Sequence, residues 1–137
     1  MRVIVDTNVV LDVFLARKPF VDKSALIFGL IEQSRIEGLL CATTLTTIDY
    51  ILRQSLSPSE TRQVLRKLLA LFEIAPVNRP VIEEALLSKV MDFEDAVLEQ
   101  AGRLVGAEAV VTRDPRDFRH ASLKVFGPEE LFSIFNR

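Results

Sequence analysis

The chain predicts an α/β fold, a three-layer α/β/α sandwich around a central, mostly parallel sheet. Three observations predict it. The apolar segments that read as strands, such as Val3-Ile4-Val5 and Ala109-Val110-Val111, are short and continuously apolar, as strands buried on both faces are. Segments with helical periodicity separate them. No linker, low-complexity tract or repeat breaks the alternation, so the 137 residues predict one domain over 1–137. A chain of this length buries roughly 70% of its unfolded surface and needs no disulfide or metal to fold.

Val3 to Asp6 reads as the first strand and Asn8 to about Ala16 as a helix. A longer helix is expected from Val21 to Glu37, with Gly38 ending it. Leu39 to Ala42 is the second strand, after which Thr46 caps a helix carrying Ile48, Ile51 and Leu52. Ser57-Pro58-Ser59-Glu60 combines a Ser cap, Pro at the first helical position and Glu at the third, which predicts a helix to about Leu71. Phe72 to Ala75 is a third strand, Pro80 to Lys89 a helix, and Asp92 to Val105 a longer helix stopped by Gly106. Ala109 to Thr112 and Leu123 to Phe126 complete the strands. A terminal helix follows, with Leu131, Phe132 and Phe135 on one face.

Composition narrows the function. The net charge of −2 argues against binding nucleic acid by global electrostatic steering, but leaves local contacts open. Arg17-Lys18, the Arg62/Arg66/Lys67 helix face, and Arg113, Arg116 and Arg119 are the basic groups available to phosphates, with Arg113 and Arg116 favoured because they flank acids. Cys41, the lone cysteine, sits in an apolar strand and reads as core, which excludes an internal disulfide. No run approaches the ~20 apolar residues of a membrane span, and the first residues lack a secretory pattern, so a cytoplasmic location is expected. No Gly-rich phosphate loop of the Walker type occurs.

The most informative residues are six aspartates, Asp6, Asp49, Asp92, Asp95, Asp114 and Asp117, placed just after a strand or near a helix start. In open parallel sheets, sites form beyond the carboxyl ends of the strands, where Asp6 and Asp114 fall. Asp92, Asp95 and Glu99 are spaced to share one face of their helix, beside a Phe93, Val97, Ala101, Leu104 stripe. Asp92 also reads as a helix cap. Carboxylates brought together repel and protonate unless a cation compensates them, and hard oxygen ligands suit Mg²⁺ or Mn²⁺.

Three strings carry a family resemblance: Val5-Asp6-Thr7-Asn8-Val9-Val10-Leu11-Asp12, Asp92-Phe93-Glu94-Asp95-Ala96, and Val111-Thr112-Arg113-Asp114-Pro115-Arg116-Asp117-Phe118. Together, in this order, they resemble a PIN domain, the nuclease domain of VapC-type toxins. The resemblance implies that Asp6, Asp95 and Asp114 are catalytic acids and metal ligands. Asp117 and Asp92 stand at the edge of the metal site, and Asn8 and Thr112 position it by hydrogen bonds. The family places a Glu in the helix after the second strand, and Asp49 takes that place here. An acid two residues earlier falls instead on Thr47.

The implied chemistry is metal-dependent hydrolysis of RNA, in which a divalent cation polarises the phosphodiester and lowers the pKa of water. His120 has the pKa range of a general base but matches no motif, and reads as a surface loop residue. A haloacid-dehalogenase-like phosphatase, which also starts with an acid after the first strand, expects a second Asp where this chain has Asn8. A receiver-like signalling domain is disfavoured by the several helices between the second and third strands. A catalytically inactive PIN-fold interaction module is the remaining alternative. The resemblance further implies a homodimer and a small antitoxin that places an Arg against the carboxylates. The apolar residues Val13, Phe14, Leu15 and Phe20, beside Arg17-Lys18, read as the exposed patch that receives it.

Overall fold

The computed structural model describes residues 1–136. Its strands are β1 (Arg2–Val5), β2 (Glu37–Cys41), β3 (Glu73–Ala75), β4 (Ala109–Val111) and β5 (Lys124–Phe126). They form one sheet in the order β3-β2-β1-β4-β5, and every pairing is parallel. The helices are α1 (Thr7–Phe14), α2 (Val21–Glu32), α3 (Ala42–Leu52), α4 (Pro58–Leu71), α5 (Arg79–Leu87), α6 (Phe93–Leu104) and α7 (Pro128–Phe135), with a 3₁₀ turn at Pro115–Phe118. Strand alternation sorts the core onto two faces. Val3, Val5, Leu40, Ala109 and Val111 pack with α1, α2, α3, α4 and α7. Ile4, Leu39, Cys41, Ala75 and Val110 pack with α5, α6 and Phe118. This is the expected three-layer sandwich, with Cys41 buried in it.

Sequence and structure differ most between Gln33 and Glu37. The helix expected to run to Glu37 ends at Glu32. Ser34, in the left-handed region at φ 56°, turns the chain, and the Arg35 amide donates to the Leu30 carbonyl. Ser34 has no glycine signature, so periodicity alone overran the helix. Gly38 lies within β2 and stops nothing. A Cβ there would approach Ile31 Cδ1 to 2.6 Å and the Phe72 ring to 2.8 Å, so its role is to let α2 and Phe72 close over the strand. Gly106 does end α6 as expected, at φ +89°.

Most other boundaries move by a residue or two, but the third helix starts earlier than expected. α3 begins at Ala42, directly on β2, so Thr46 is no cap, and its hydroxyl donates to the Thr43 carbonyl. The capping box at Ser57 and Glu60 forms as predicted. Among the described residues no helix is long and apolar enough to cross a membrane.

Candidate active site

The strand order places β2 on one side of β1 and β4 on the other, so the connections diverge at the carboxyl ends of β1 and β4. Divergence opens a crevice there. Asp6 follows β1 and caps α1, its Oδ1 accepting from the Thr7 amide at 2.8 Å. Its Oδ2 accepts from the Thr112 hydroxyl at 2.8 Å, and Thr112 Oγ1 in turn accepts from the Asp114 amide at 3.1 Å. Asn8 Nδ2 donates to the Asp114 carboxylate at 3.0 Å, and its Oδ1 accepts from the Arg113 amide at 3.5 Å. Hydrogen bonds of Asn8 and Thr112 thus join the ends of β1 and β4.

Asp95 enters from α6. Asp92 is the N-cap, its Oδ1 accepting from the Asp95 amide at 3.0 Å, so the cap reading of Asp92 is correct and leaves the Asp95 carboxylate free. Burial pushes Asp95 up to about 7, and the charges of Asp6, Asp92, Asp117 and Glu94 add to the rise. Burial likewise raises Asp6 to about 6 against the two hydrogen bonds it accepts, and Asp114 and Asp117 push in the same direction. Asp6, Asp92, Asp95, Asp114 and Asp117 therefore share one electrostatic field, although Asp114 and Asp117 are themselves exposed. A cavity of about 230 Å³ is lined by Met91, Asp92, Asp95, Arg116, Asp117, Arg119 and His120.

Several expectations change. Asp49 is not among the carboxylates acting on Asp6 or Asp95, and its carboxylate lies 3.9 Å from Arg53 Nη1, one turn along α3. The alternative position, Thr47, faces the acids: its hydroxyl donates to Glu94 Oε1 at 3.3 Å. Thr7 and Thr44 meet through their hydroxyls at 3.0 Å, which holds the start of α3 against α1. Glu99 does not join the acids. It is fully buried and accepts from the Leu123 amide at 2.7 Å, tying α6 to the approach of β5. Of the stripe beside it, Val97 and Ala101 are core whereas Phe93 and Leu104 are exposed.

Among the bases, Arg116 and Arg119 line the acid cavity, but Arg113 turns away and pairs with Asp12. His120 is exposed as expected, yet it lines the acid cavity, which no motif signalled. Val13, Phe14 and Leu15, expected on an exposed patch, are half-buried against the core, and Phe20 lies under the Arg113 guanidinium. Large apolar side chains that do stand exposed are Leu86, Leu87, Met91 and Phe93, from the end of α5 to the start of α6, and Met91 lines the acid cavity.

The donor chemistry fits a hard divalent cation, because the acids offer only carboxylate oxygens and repel one another as they stand. The fit is one of chemistry and not of a closed cage: among the described residues no three Asp, Glu, His or Cys side chains form a ready ligand set.

A parallel α/β/α domain with acids gathered at the switch point of its sheet defines a class of acid-site α/β proteins. Within that class the chain belongs to the PIN domain family, whose model matches residues 2–116. Asp117, β5 and α7 lie beyond the matched residues. No curated protein sequence matches the chain. Among solved structures, a chain of a toxin–antitoxin complex from Klebsiella pneumoniae is similar at a TM-score of 0.70 with 20% identity, covering 93% of this chain and 98% of the other. A chain of VapBC2 from Rickettsia felis, bound to a DNA fragment from its promoter, is similar at 0.69 with 14% identity and coverages of 93% and 98%. FitAcB from Neisseria gonorrhoeae gives 0.67 with 21% identity and coverages of 92% and 97%. At such identities the likeness is one of fold.

Proposed function

We propose that the protein is a metal-dependent endoribonuclease, a single PIN domain acting in the cytoplasm as the toxin of a toxin–antitoxin pair. The observation that carries this reading is the uncompensated group of Asp6, Asp95 and Asp114, with Asp92 and Asp117 at its rim. These carboxylates would hold Mg²⁺ or Mn²⁺, and when bound the ion supplies Lewis-acid polarisation of the phosphodiester and a nucleophile at neutral pH. Thr112 and Asn8 fix the directions of Asp6 and Asp114. Arg116 and Arg119 at the cavity wall pair with RNA phosphates, offsetting the net negative charge locally. His120 at the same wall is placed to hydrogen-bond a phosphate or a ribose hydroxyl.

RNA cleavage with Mg²⁺ or Mn²⁺, and its loss on adding EDTA or in Asp6→Asn and Asp95→Asn, is the test. Full cleavage by the double variant, or an inert wild type with intact RNA binding, would replace the enzyme with an interaction module. The similar toxin–antitoxin complexes support the partner assignment. The antitoxin of this reading places an Arg at the acid site, where its charge would compensate the carboxylates. The homodimer forms in this reading through Leu86, Leu87, Met91 and Phe93, so Leu87→Asp with Phe93→Asp should yield a monomer in light scattering.

A further inference from the structure

We propose that Asp12 is a positioning residue of the acid site, which acts through Arg113 to fix the turn that carries Asp114. The inference deepens the metal-dependent reading of that site and rests on it. Asp12 stands one helical turn after Asn8 on α1, so both side chains leave the same face of the helix. Asn8 holds the backbone and carboxylate of residues 113 and 114, as described above. Asp12 holds the side chain between them: its Oδ2 lies 3.1 Å from Arg113 Nε, and its Oδ1 lies 3.8 Å from Arg17 Nη1.

The surroundings are built around this pair. The Asp12 side chain has no exposure, and that of Arg113 retains 22%. The chain leaving α1 hooks back, with the Arg17 amide donating to the Asp12 carbonyl and the Phe20 amide to that of Arg17. This hook sets the Phe20 ring centroid 4.2 Å from the Arg113 guanidinium carbon, a cation–π contact. Yet neither Asp12 oxygen nor Arg113 Nε has a geometrically good hydrogen bond, and the fourth such buried atom among the described residues, Ser24 Oγ, belongs to a residue lining the same cavity as Phe20 and Arg113. A buried ion pair with imperfect bonding is a poor source of stability compared with apolar packing. Its position explains it: Arg113 is next to Asp114, and the pair holds the side chain of the same residue whose backbone amide Asn8 accepts from.

The test compares wild type with Asp12→Asn, which keeps the shape and removes the charge, and with Arg113→Gln, whose partly exposed position guards against a variant that fails to fold. Three readouts are taken: Mn²⁺ binding by calorimetry, RNA cleavage across a Mn²⁺ titration, and backbone amide exchange at residues 112 to 114. Both variants should bind Mn²⁺ about tenfold more weakly, the size typical of groups that orient metal ligands. Their cleavage should recover at high Mn²⁺, and the Asp114 amide should exchange faster. In an Asp114→Asn background, Asp12→Asn should change Mn²⁺ binding no further. Wild-type Mn²⁺ affinity and unchanged exchange in a folded Asp12→Asn or Arg113→Gln would overturn the proposal, as would a full additional loss in the Asp114→Asn background. A wild type that binds no Mn²⁺ would instead remove the metal reading, and the exchange measurement would then decide the positioning role alone.

Discussion

Asp6 and Asp12 belong to the same strand–helix unit, and both are buried, at 8% and 0% exposure. Asp12 has two arginines beside it, whereas Asp6 has only other carboxylates in its field. Burial pushes both carboxyls up; Arg113 and Arg17 pull Asp12 back against burial and Asp114, whereas on Asp6 only the hydrogen bonds from Thr112 and Thr7 oppose burial, and Asp114 and Asp117 push it further. The difference teaches how to separate a structural acid from a functional one. An acid compensated from within the chain is complete in the fold. On the metal-dependent reading proposed above, an acid left beside other acids is complete only when a cation arrives from outside.

The comparison breaks most sharply on activity. Asp6→Asn or Asp95→Asn should lower RNA cleavage by at least about a hundredfold, more than the 10–100-fold typical of groups behind the ligands, in a gel or fluorescence cleavage assay. Asp12→Asn should lower it less and recover with added Mn²⁺.

Stability should reverse this ranking. Asp12→Asn strands the Arg113 charge and should cost about 2 kcal/mol, below the full value for a buried pair because Arg113 reaches solvent. Asp6→Asn removes a repelled carboxylate and should raise metal-free stability at pH 8 by about 1 to 2 kcal/mol. Urea unfolding of both variants without metal checks the opposite signs, and equal destabilisation would erase the distinction.

The pH dependence sharpens it further. The folded chain holds protons on Asp6 and Asp95 up to about 6 and 7, against 3.8 for an unperturbed Asp. Between those limits the folded state binds more protons than the unfolded one, so metal-free stability is greatest below pH 4 on account of these groups and falls as pH rises through 7. In the metal-bound protein the trend should oppose this, because protons and Mn²⁺ compete for the same carboxylates. Thermal melts from pH 5 to 8 with and without Mn²⁺ test both signs.

The smallest effects belong to the rim. Asp92→Asn and Asp117→Asn should reduce cleavage several-fold and recover with Mn²⁺, since Asp92 spends one oxygen on its cap and Asp117 is exposed. Losses as deep and unrecoverable as those of Asp6 and Asp95 would mean that the rim belongs to the centre.

Much of this was legible in the sequence because strand ends and helix caps leave local signatures. Asp6, Asn8, Thr112 and Asp114 sit within two short strings at the ends of strands, so fold and site were readable together. Asp49 was not, because its direction depends on where α3 starts, and a helix beginning directly on β2 turns Thr47 toward Glu94 and leaves Asp49 beside Arg53. Arg113 and Arg116 look equivalent in the sequence, yet packing against Phe20 and Asp12 sends one inward while the other lines the cavity. His120 and Glu99 are decided in the same way by tertiary neighbours that carry no local pattern.

The hydrogen bond from Thr112 to Asp6 spans 106 residues of sequence. Contacts of such separation form late and slowly, because a long loop must close before anything rewards its closure. Until β4 has docked beside β1, Asp6 lacks Thr112 and Asn8 lacks Asp114. A chain emerging from the ribosome therefore carries Asp6 well before the residues that orient it, and these side chains come together only once β4 has been made and has docked beside β1.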